Sequence, residues 1–166
     1  MAILNLVSST DPILYNKVPQ FDFSNSPCDP IELSNNLIET MNHYNGMGLS
    51  ANQCGLPYRV FVMRSDQNAV FFNPRIIDMS SEEISLEEGC LSHPFLYVKI
   101  KRSSIIKVRF ADHTGTTKTE KFIGITARCF LHEYDHLEGI NYLRRANLAH
   151  VERAKRQQTK LLRKQK

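Results

Sequence analysis

The sequence lacks several features that would mark a membrane, secreted or fibrous protein. No apolar run approaches the about 20 residues that a membrane span needs, and no basic stretch precedes an apolar segment at the N-terminus, so we expect neither a membrane span nor a signal peptide. Internal repeats and Pro/Gly-rich linkers are also missing. The cysteines, at positions 28, 54, 90 and 129, form no Cys-x-x-Cys pair. This spacing argues against a disulfide framework and favours reduced thiols in a cytosol-like compartment.

The residues that are present fit one globular domain spanning 1–166. Hydrophobic residues make up 42% of the chain and charged residues 23%, which is ordinary for a globular protein. The charge is uneven, because the segment Arg144–Lys166 has nine basic residues and one acid, whereas the preceding 143 residues have 12 basic and 16 acidic ones. This basic tail is either a solvated helix or an electrostatic contact for a polyanion such as RNA.

Local patterns predict an α+β fold. Asp29 can cap a first helix, apolar residues follow at helical spacing, and Gly46 is the expected end. A second helix is expected over about Thr126–Leu137, ended by Gly139, and a third from about Asn147 onward. Segments rich in Val, Ile, Phe and Tyr predict strands at Tyr58–Arg64, Ala69–Asn73, Tyr97–Lys101, Ser104–Ala111 and Thr116–Ile123. Strands with few intervening helices favour α+β over a parallel α/β fold.

The strongest local signal is an H-E-x-x-H pattern, His132 to His136, on the predicted second helix. Residues four apart lie above one another on one helix face, so the imidazoles of His132 and His136 can bind one cation. Glu133 lies about 100° around the helix and can act on a water at the metal without being a ligand. Catalytic divalent sites usually have three protein ligands, so a third donor is required.

The third donor must come from outside this pattern. Cys129 shares a helix face with His132, but it lies seven residues from His136, about 10 Å along the axis, so it suits a pocket wall better than a ligand. A downstream Glu or His, as in other H-E-x-x-H enzymes, does not have the required spacing here. Cys90, in the stretch Glu87–Ser92, is the remaining attractive donor, and a buried structural cysteine is the alternative interpretation.

A glycine-containing segment, Gly46–Gln53, precedes the predicted strands. It has no Gly-Lys-Ser/Thr and follows a helix rather than a strand, so it fits neither a phosphate loop nor a dinucleotide loop. It indicates either a tight backbone path beside a ligand or simply a helix end followed by a turn. The side-chain amide of Gln53 could donate a hydrogen bond to a developing oxyanion.

Together these three segments resemble the motifs of the peptide deformylase family. The family has, in this order, a Gly-x-Gly-Leu-Ala-Ala-x-Gln-like loop, Glu-Gly-Cys-Leu-Ser, and H-E-x-x-H on a helix. Here they are Gly46–Gln53, Glu88–Ser92 and His132–His136. The resemblance covers most of the chain. It implies an α+β fold in which antiparallel sheets pack around the central H-E-x-x-H helix, with an N-terminal helix and a basic C-terminal helix.

The resemblance also implies a reaction. The family removes the N-formyl group from nascent chains that begin with formyl-methionine and releases formate. It uses one divalent metal, natively Fe²⁺ in many members and replaceable by Zn²⁺, Ni²⁺ or Co²⁺, and the implied ligands are Cys90, His132 and His136. Glu133 is then the general base and acid. The Gln53 amide and the Leu91 backbone N–H stabilise the oxyanion.

The family's substrate site maps onto ten positions of this sequence. The methionine pocket corresponds to Met47, Leu86, Ile125, Arg128 and Cys129, and the peptide groove to Gly46, Gly48, Glu88, Gly89 and Tyr97. Tyr97 stands where many bacterial members have an arginine that helps to hold the substrate backbone, which puts the preference beyond the first substrate residue in doubt.

Two further expectations concern the alternative enzyme and the partners. A zinc endopeptidase would use His132, Glu133 and His136 and would need a third ligand other than Cys90. The C-terminal helix of the family is implicated in docking on the ribosome, so the basic helix over about 147–166 becomes a candidate contact for ribosomal RNA. We expect a monomer without membrane contacts, in the cytoplasm, in an organelle stroma or matrix, or in host cytoplasm if viral.

Overall fold

The computed structural model describes residues 2–64 and 69–164, within which it has three α-helices and seven strands. The helices are α1 (Pro30–His43), α2 (Gly124–Leu137) and α3 (Leu148–Arg163). The strands are β1 (Gly48–Ser50), β2 (Val60–Met63), β3 (Ala69–Met79), β4 (Glu83–Cys90), β5 (His93–Ser103), β6 (Ile105–Ala111) and β7 (Thr117–Ile123).

The strands form two antiparallel sheets. Five of them are hydrogen-bonded in the order β1-β2-β3-β6-β7, and β4 pairs with β5 in a separate two-stranded sheet. The H-E-x-x-H pattern lies on α2, which contacts strands of both sheets. The predicted α+β class, with antiparallel sheets around a central helix, is therefore confirmed.

The five-stranded sheet has a hydrophobic core on each face. On one face, Phe130 of α2 packs against Phe61 and Phe71, with ring centroids 5.0 and 5.3 Å away. On the other face, Met41 of α1 belongs to a cluster that includes Phe72. Phe71 and Phe72 serve different cores because successive side chains of a strand point to opposite faces. Packing through Phe130 fixes one side of α2 against the five-stranded sheet, and the other side of the helix faces β4 and β5.

The start of α1 follows its sequence signal, but its end does not. The Asp29 carboxylate accepts a hydrogen bond from a first-turn backbone N–H at 2.8 Å, which confirms its capping role. Gly46 was the expected end of this helix, and that prediction is wrong. Asn45 adopts the left-handed conformation (φ 55°), and the Gly46 N–H donates to the Met41 carbonyl at 2.8 Å. Asparagine can adopt this conformation because its short side chain tolerates positive φ.

The other two helices have boundaries close to those expected. α2 is followed by Gly139, where φ is 69° and a Cβ would lie 2.8 Å from the backbone of Tyr15 and Asn16. The Asn147 side chain caps α3, and residues 165–166 of the predicted third helix lie outside the described residues. Among the described helices, none is both long and apolar enough to cross a bilayer.

The sequence patterns underestimate the strands. β1 and β4 lie outside the predicted strands. β4 contains three Glu and one Gly, which are depleted in strands. β3 continues six residues beyond its expected end at Asn73, through Pro74, to Met79. A register shift between Phe72 and Arg75 accommodates this stretch. Proline would ordinarily argue against a strand interior, and the irregular register explains its presence here.

Replacement of Phe130 by alanine tests how strongly α2 is anchored. We expect Phe130→Ala to lower the free energy of unfolding by about 3–5 kcal/mol, because a fully buried aromatic side chain is deleted. Urea denaturation followed by circular dichroism measures the change. Thr126→Ala, at an exposed position of the same helix, is the matched control and should change stability by less than about 0.5 kcal/mol. A loss below about 1 kcal/mol for Phe130→Ala would contradict this anchoring.

Candidate active site

Three potential metal-donor atoms, two from α2 and one from β4, lie close together. His132 and His136 lie one helical turn apart on α2, and Cys90 is the last residue of β4. Their donor atoms all lie within 4.8 Å of one another, and the Cys90 Sγ is 3.2 Å from the His136 Nε2. One thiolate and two imidazoles are a donor set that suits Zn²⁺ or Fe²⁺. Cys129 is not part of this group, since its thiol donates to the Met47 carbonyl at 3.4 Å.

The strand end that carries Cys90 is shaped by a glycine. The pairing of β4 with β5 shifts register between Glu88 and Cys90, and Cys90 then pairs with His93. Gly89 lies at this irregularity, and a Cβ there would be only 2.6 Å from the ring of Tyr97. The Tyr97 ring therefore packs directly on the backbone of residue 89, and a larger residue there would require the ring to move.

The electrostatic environment favours a thiolate at Cys90. Burial alone would raise the pKa of this thiol, but the adjacent His136 and His132 outweigh burial and hold the pKa well below its usual value. Burial also opposes charge on His132, yet its contacts with Cys90 and Glu88 raise the pKa of its imidazole to about 10. A thiolate is the form of cysteine that binds metals, so these contacts favour the ligand state of Cys90.

Glu133 points into the same site and has an unusual environment. Its Oε2 atom is buried and has no hydrogen-bond partner among the described residues. Burial raises the pKa of Glu133 to about 7, close to the pH at which a general base works best. The Gly46–Gln53 segment provides the space for this side chain, since a Cβ at Gly48 would lie 2.5 Å from the Glu133 Oε1.

Gln53 is held with its amide nitrogen toward Cys90. Its Oε1 accepts hydrogen bonds from the backbone N–H and the hydroxyl of Ser50, each at 3.0 Å. Its Nε2 donates to the Ser92 hydroxyl at 3.0 Å and lies 3.6 Å from the Cys90 Sγ. The neighbouring Asn52 donates to the backbone carbonyl of His136 at 2.7 Å and so ties this segment to the metal-site helix. The sequence patterns gave no indication of this contact.

A buried network of charges supports the histidine helix. Glu88 accepts hydrogen bonds from the Arg102 Nε at 2.8 Å and the Arg128 Nη1 at 2.7 Å, and its other oxygen lies 3.0 Å from the His132 Nδ1. Burial alone would raise the pKa of Glu88, but the hydrogen bonds from Arg102 and His132 lower it to about 2. The Arg102 Nη1 also donates to Asp135 at 2.7 Å. The contact with Glu88 leaves the Nε2 atom of His132 for a metal.

Neither arginine partner of Asp135 could be identified from the sequence. Arg102 and Arg145 both donate to the Asp135 carboxylate at 2.7 Å, although they are 33 and 10 residues away in the chain. Lone arginines have no characteristic spacing, so only the folded chain reveals that they meet. Arg145 lies just before α3 in the chain. Its ion pair with Asp135 therefore connects the segment that leads into α3 with the metal-site helix α2.

A cavity of about 510 Å³ opens beside the three donors. Besides Cys90, His132, Glu133, Gln53 and Leu91, it is lined by nine of the ten predicted substrate positions, namely Gly46, Met47, Gly48, Glu88, Gly89, Tyr97, Ile125, Arg128 and Cys129. The sequence analysis missed other lining residues, namely Leu6, Tyr44, Asn45, Glu87, His93, Pro94 and Phe95.

Leu86 is the one predicted pocket residue that is not among those lining the cavity. Leu86 is 43% exposed and lies further along β4, opposite Ile100 in register, and its place in the methionine pocket stays a prediction. Glu88 and Arg128 also differ from simple groove residues. Their charged groups are bound to each other, and Arg128 further donates to the carbonyls of Ile84 and Ile100.

Comparisons with known proteins agree with this site. A sequence model of the polypeptide deformylase family matches residues 3–152. The chain is 41% identical over 132 residues to a peptide deformylase of Thermotoga maritima, covering 78% of this chain and 79% of that protein. It is 40% identical over 147 residues to peptide deformylase 1 of Clostridium perfringens, covering 86% and 97%.

Solved structures give the same result. The crystal structure of the Thermotoga maritima peptide deformylase matches with a TM-score of 0.80 at 35% identity, covering 89% of this chain and 99% of that one. A peptide deformylase from Synechococcus elongatus, solved in complex with actinonin, matches with a TM-score of 0.84 at 27% identity, covering 91% and 85%. The zinc endopeptidase alternative is wrong, since Cys90 joins the two histidines and the match spans the site. The chain belongs to the polypeptide deformylase family, metal-dependent hydrolases that remove the N-formyl group from nascent peptides.

Proposed function

We propose that Cys90, His132 and His136 hold one divalent cation, Fe²⁺ natively, at which this chain removes the formyl group from formyl-methionyl nascent peptides as a single catalytic domain. The observation that carries the proposal is the meeting of these donors within 4.8 Å. An ion bound there supplies Lewis acidity, which polarises a carbonyl and activates water. Zn²⁺, Ni²⁺ or Co²⁺ can replace the iron, because thiolate and imidazole suit all of these ions.

Glu133 moves the proton in this proposal. Its carboxylate takes the proton of the attacking water and later delivers it to the amine that leaves when formate is released. The raised pKa of this buried carboxyl, about 7, suits both transfers, because such a group can accept and donate a proton near neutral pH. The backbone at Gly48 leaves room for the carboxylate to face the cavity.

Gln53 and Leu91 stabilise the oxyanion that forms from the formyl carbonyl. The Oε1 of Gln53 is occupied by Ser50, so its Nε2 is the group directed at Cys90 and the site. The backbone N–H of Leu91, which follows the cysteine and lines the cavity, is the second donor. Donors held in place before the reaction stabilise the transition state without reorganisation.

The cavity wall accounts for the methionine preference in this proposal. Met47 and Ile125 are more than half exposed and line the cavity together with Cys129, so their apolar surfaces can receive an unbranched thioether side chain. Gly46, Gly48 and Gly89 leave backbone close to the cavity, where an extended peptide can form main-chain hydrogen bonds. Tyr97, 54% exposed, lies over Gly89 beside that path.

The basic helix α3 suits docking on ribosomal RNA. Val151 and Ala154 are buried and anchor α3 against the second sheet, whereas Arg153, Arg156 and Lys160 are exposed. Electrostatic attraction to phosphates would bring the enzyme to chains as they leave the ribosome. Docking on the ribosome would place the protein in the cytoplasm or in an organelle that makes protein, and we propose separately that it works as a monomer.

The proposed chemistry is tested by formate release from a formyl-Met peptide, with protein purified without oxygen and its metal content measured in parallel. Glu133→Gln should lower the rate by about 10²–10⁴-fold while the metal is retained, because only the proton transfer is lost. Cys90→Ala should lose both metal and activity. Cys28→Ala, which removes a thiol outside the site, is the control and should keep both. Unchanged metal content in Cys90→Ala would contradict the ligand assignment.

A second prediction concerns Glu88. Glu88→Gln should weaken metal binding by about 10–100-fold, because the group that orients His132 loses its charge. It should also lower stability by about 3–5 kcal/mol, since Arg102 and Arg128 lose a buried counter-charge. Chelator competition and urea unfolding measure the two effects. Glu87→Gln is the matched control, and equal metal affinity in both variants would contradict this role.

A third prediction separates docking from catalysis. The double variant Arg156→Gln/Lys160→Gln should bind ribosomes more weakly and with a smaller salt dependence, while hydrolysis of short peptides is unchanged. Lys99→Gln/Lys101→Gln removes the same charge from exposed positions of β5 and is the control. Substitution is preferable to deletion, because deletion would remove the buried Val151 and Ala154. Equal ribosome binding by both variants across salt concentrations would contradict docking through α3 and would indicate that α3 is only a solvated helix.

A further inference from the structure

One face of the five-stranded sheet is only partly covered. Phe72 of β3 and Ala111 of β6 belong to the core under α1. Side chains two residues apart on a strand share a face, so Arg109 and Lys107 of β6 continue this face beyond the covered part. There the sheet is exposed, and we call Arg75, Lys107, Arg109 and Lys121 together the basic sheet face.

The cations of the basic sheet face lie opposite one another on neighbouring strands. Arg75 lies directly opposite Arg109, and Lys107 directly opposite Lys121. Like charges opposite each other destabilise a sheet. Within residues 2–64 and 69–164, the side chains of these four residues make no ion pair or hydrogen bond. A bound polyanion would relieve this repulsion.

The acidic groups near this face do not neutralise it. Asp78 lies opposite Lys107 in register, and its Oδ1 accepts a hydrogen bond from the backbone N–H of Met79 at 3.0 Å. Glu120 alternates to the opposite face of β7, where it pairs with the buried position Val108. The face therefore keeps four cations against one acid.

A cavity of about 420 Å³ adjoins the two arginines. It is lined by Arg75, Arg109 and the exposed Thr117, and also by the ring of Phe23. The Phe23 ring is half-buried and would lie 3.4 Å from a Cβ placed at Gly115, so it forms one wall of the cavity. Guanidinium groups beside an aromatic wall combine a phosphate contact with a surface on which a base can stack.

We propose that the basic sheet face binds a segment of single-stranded RNA, with phosphates on the arginines and lysines and a base in the cavity against Phe23. Inorganic polyphosphate or an anionic membrane would use the charge alone, and neither requires the aromatic cavity. The surface is separate from α3, which packs on β5 of the second sheet. It goes beyond the proposed deformylase activity, and RNA binding can be measured without it.

The test is fluorescence anisotropy of the full chain with a labelled 12-nucleotide single-stranded RNA, over a range of salt concentrations. Arg75→Gln/Arg109→Gln should weaken binding about tenfold and reduce the slope of log K against log salt by about 1.4, since two phosphate contacts are lost. The control Lys99→Gln/Lys101→Gln removes equal charge from β5 and should change affinity less than about twofold. Equal weakening by the two variants would overturn the proposal.

The aromatic wall distinguishes RNA from other polyanions. Phe23→Leu keeps an apolar side chain but removes the ring, so it should weaken RNA binding about five- to tenfold and leave inorganic polyphosphate binding unchanged. If Phe23→Leu has no effect on RNA, or if polyphosphate binds as tightly as RNA at equal phosphate concentration, the RNA proposal is overturned. Formate release and urea unfolding of each variant show that the fold and the separate active site are intact.

Discussion

The buried guanidinium of Arg102 is the contact on which the arrangement of the metal donors depends. It donates to Glu88, two residues before Cys90 on β4, and to Asp135, which lies between the two histidines on α2. All three charged side chains are about 5% exposed. Removing one partner from such a group leaves an unpaired buried charge, which costs several kcal/mol. The network therefore holds the strand and the helix that carry the donors together.

This arrangement divides the metal site between a rigid helix and a strand end. Spacing along α2 sets His132 and His136 one turn apart whatever the rest of the chain does. Cys90 reaches them only when β4 is docked through Glu88, so the complete donor set exists only in the folded chain. Ion binding is for that reason coupled to folding. Glu88 contributes to both folding and ion binding, because the carboxylate that docks the strand also fixes the His132 imidazole.

The predictable and unpredictable parts of the site differ in how local their signals are. The pattern His132 to His136 needs only helical periodicity, and it was found without any knowledge of the fold. Cys90 could be proposed from its glycine neighbour and the family resemblance, but its distance to the helix could not. The partners of Asp135 were invisible because a lone arginine has no spacing rule. Leu86 is not among the lining residues of the cavity, because position along β4 as well as residue type decides which side chains reach it.

The distribution of charge also has to be read from the fold. The residues before 144 carry more acids than bases, and burial removes three of each from the surface, namely Glu88, Glu133 and Asp135 together with Arg59, Arg102 and Arg128. The exterior of this part therefore keeps the acidic excess that the sequence count gives. Exposed cations are instead concentrated in two patches, on α3 and on the basic sheet face. A polyanion is therefore attracted to these patches rather than to the surface as a whole, since the buried acids and arginines of the site neutralise each other.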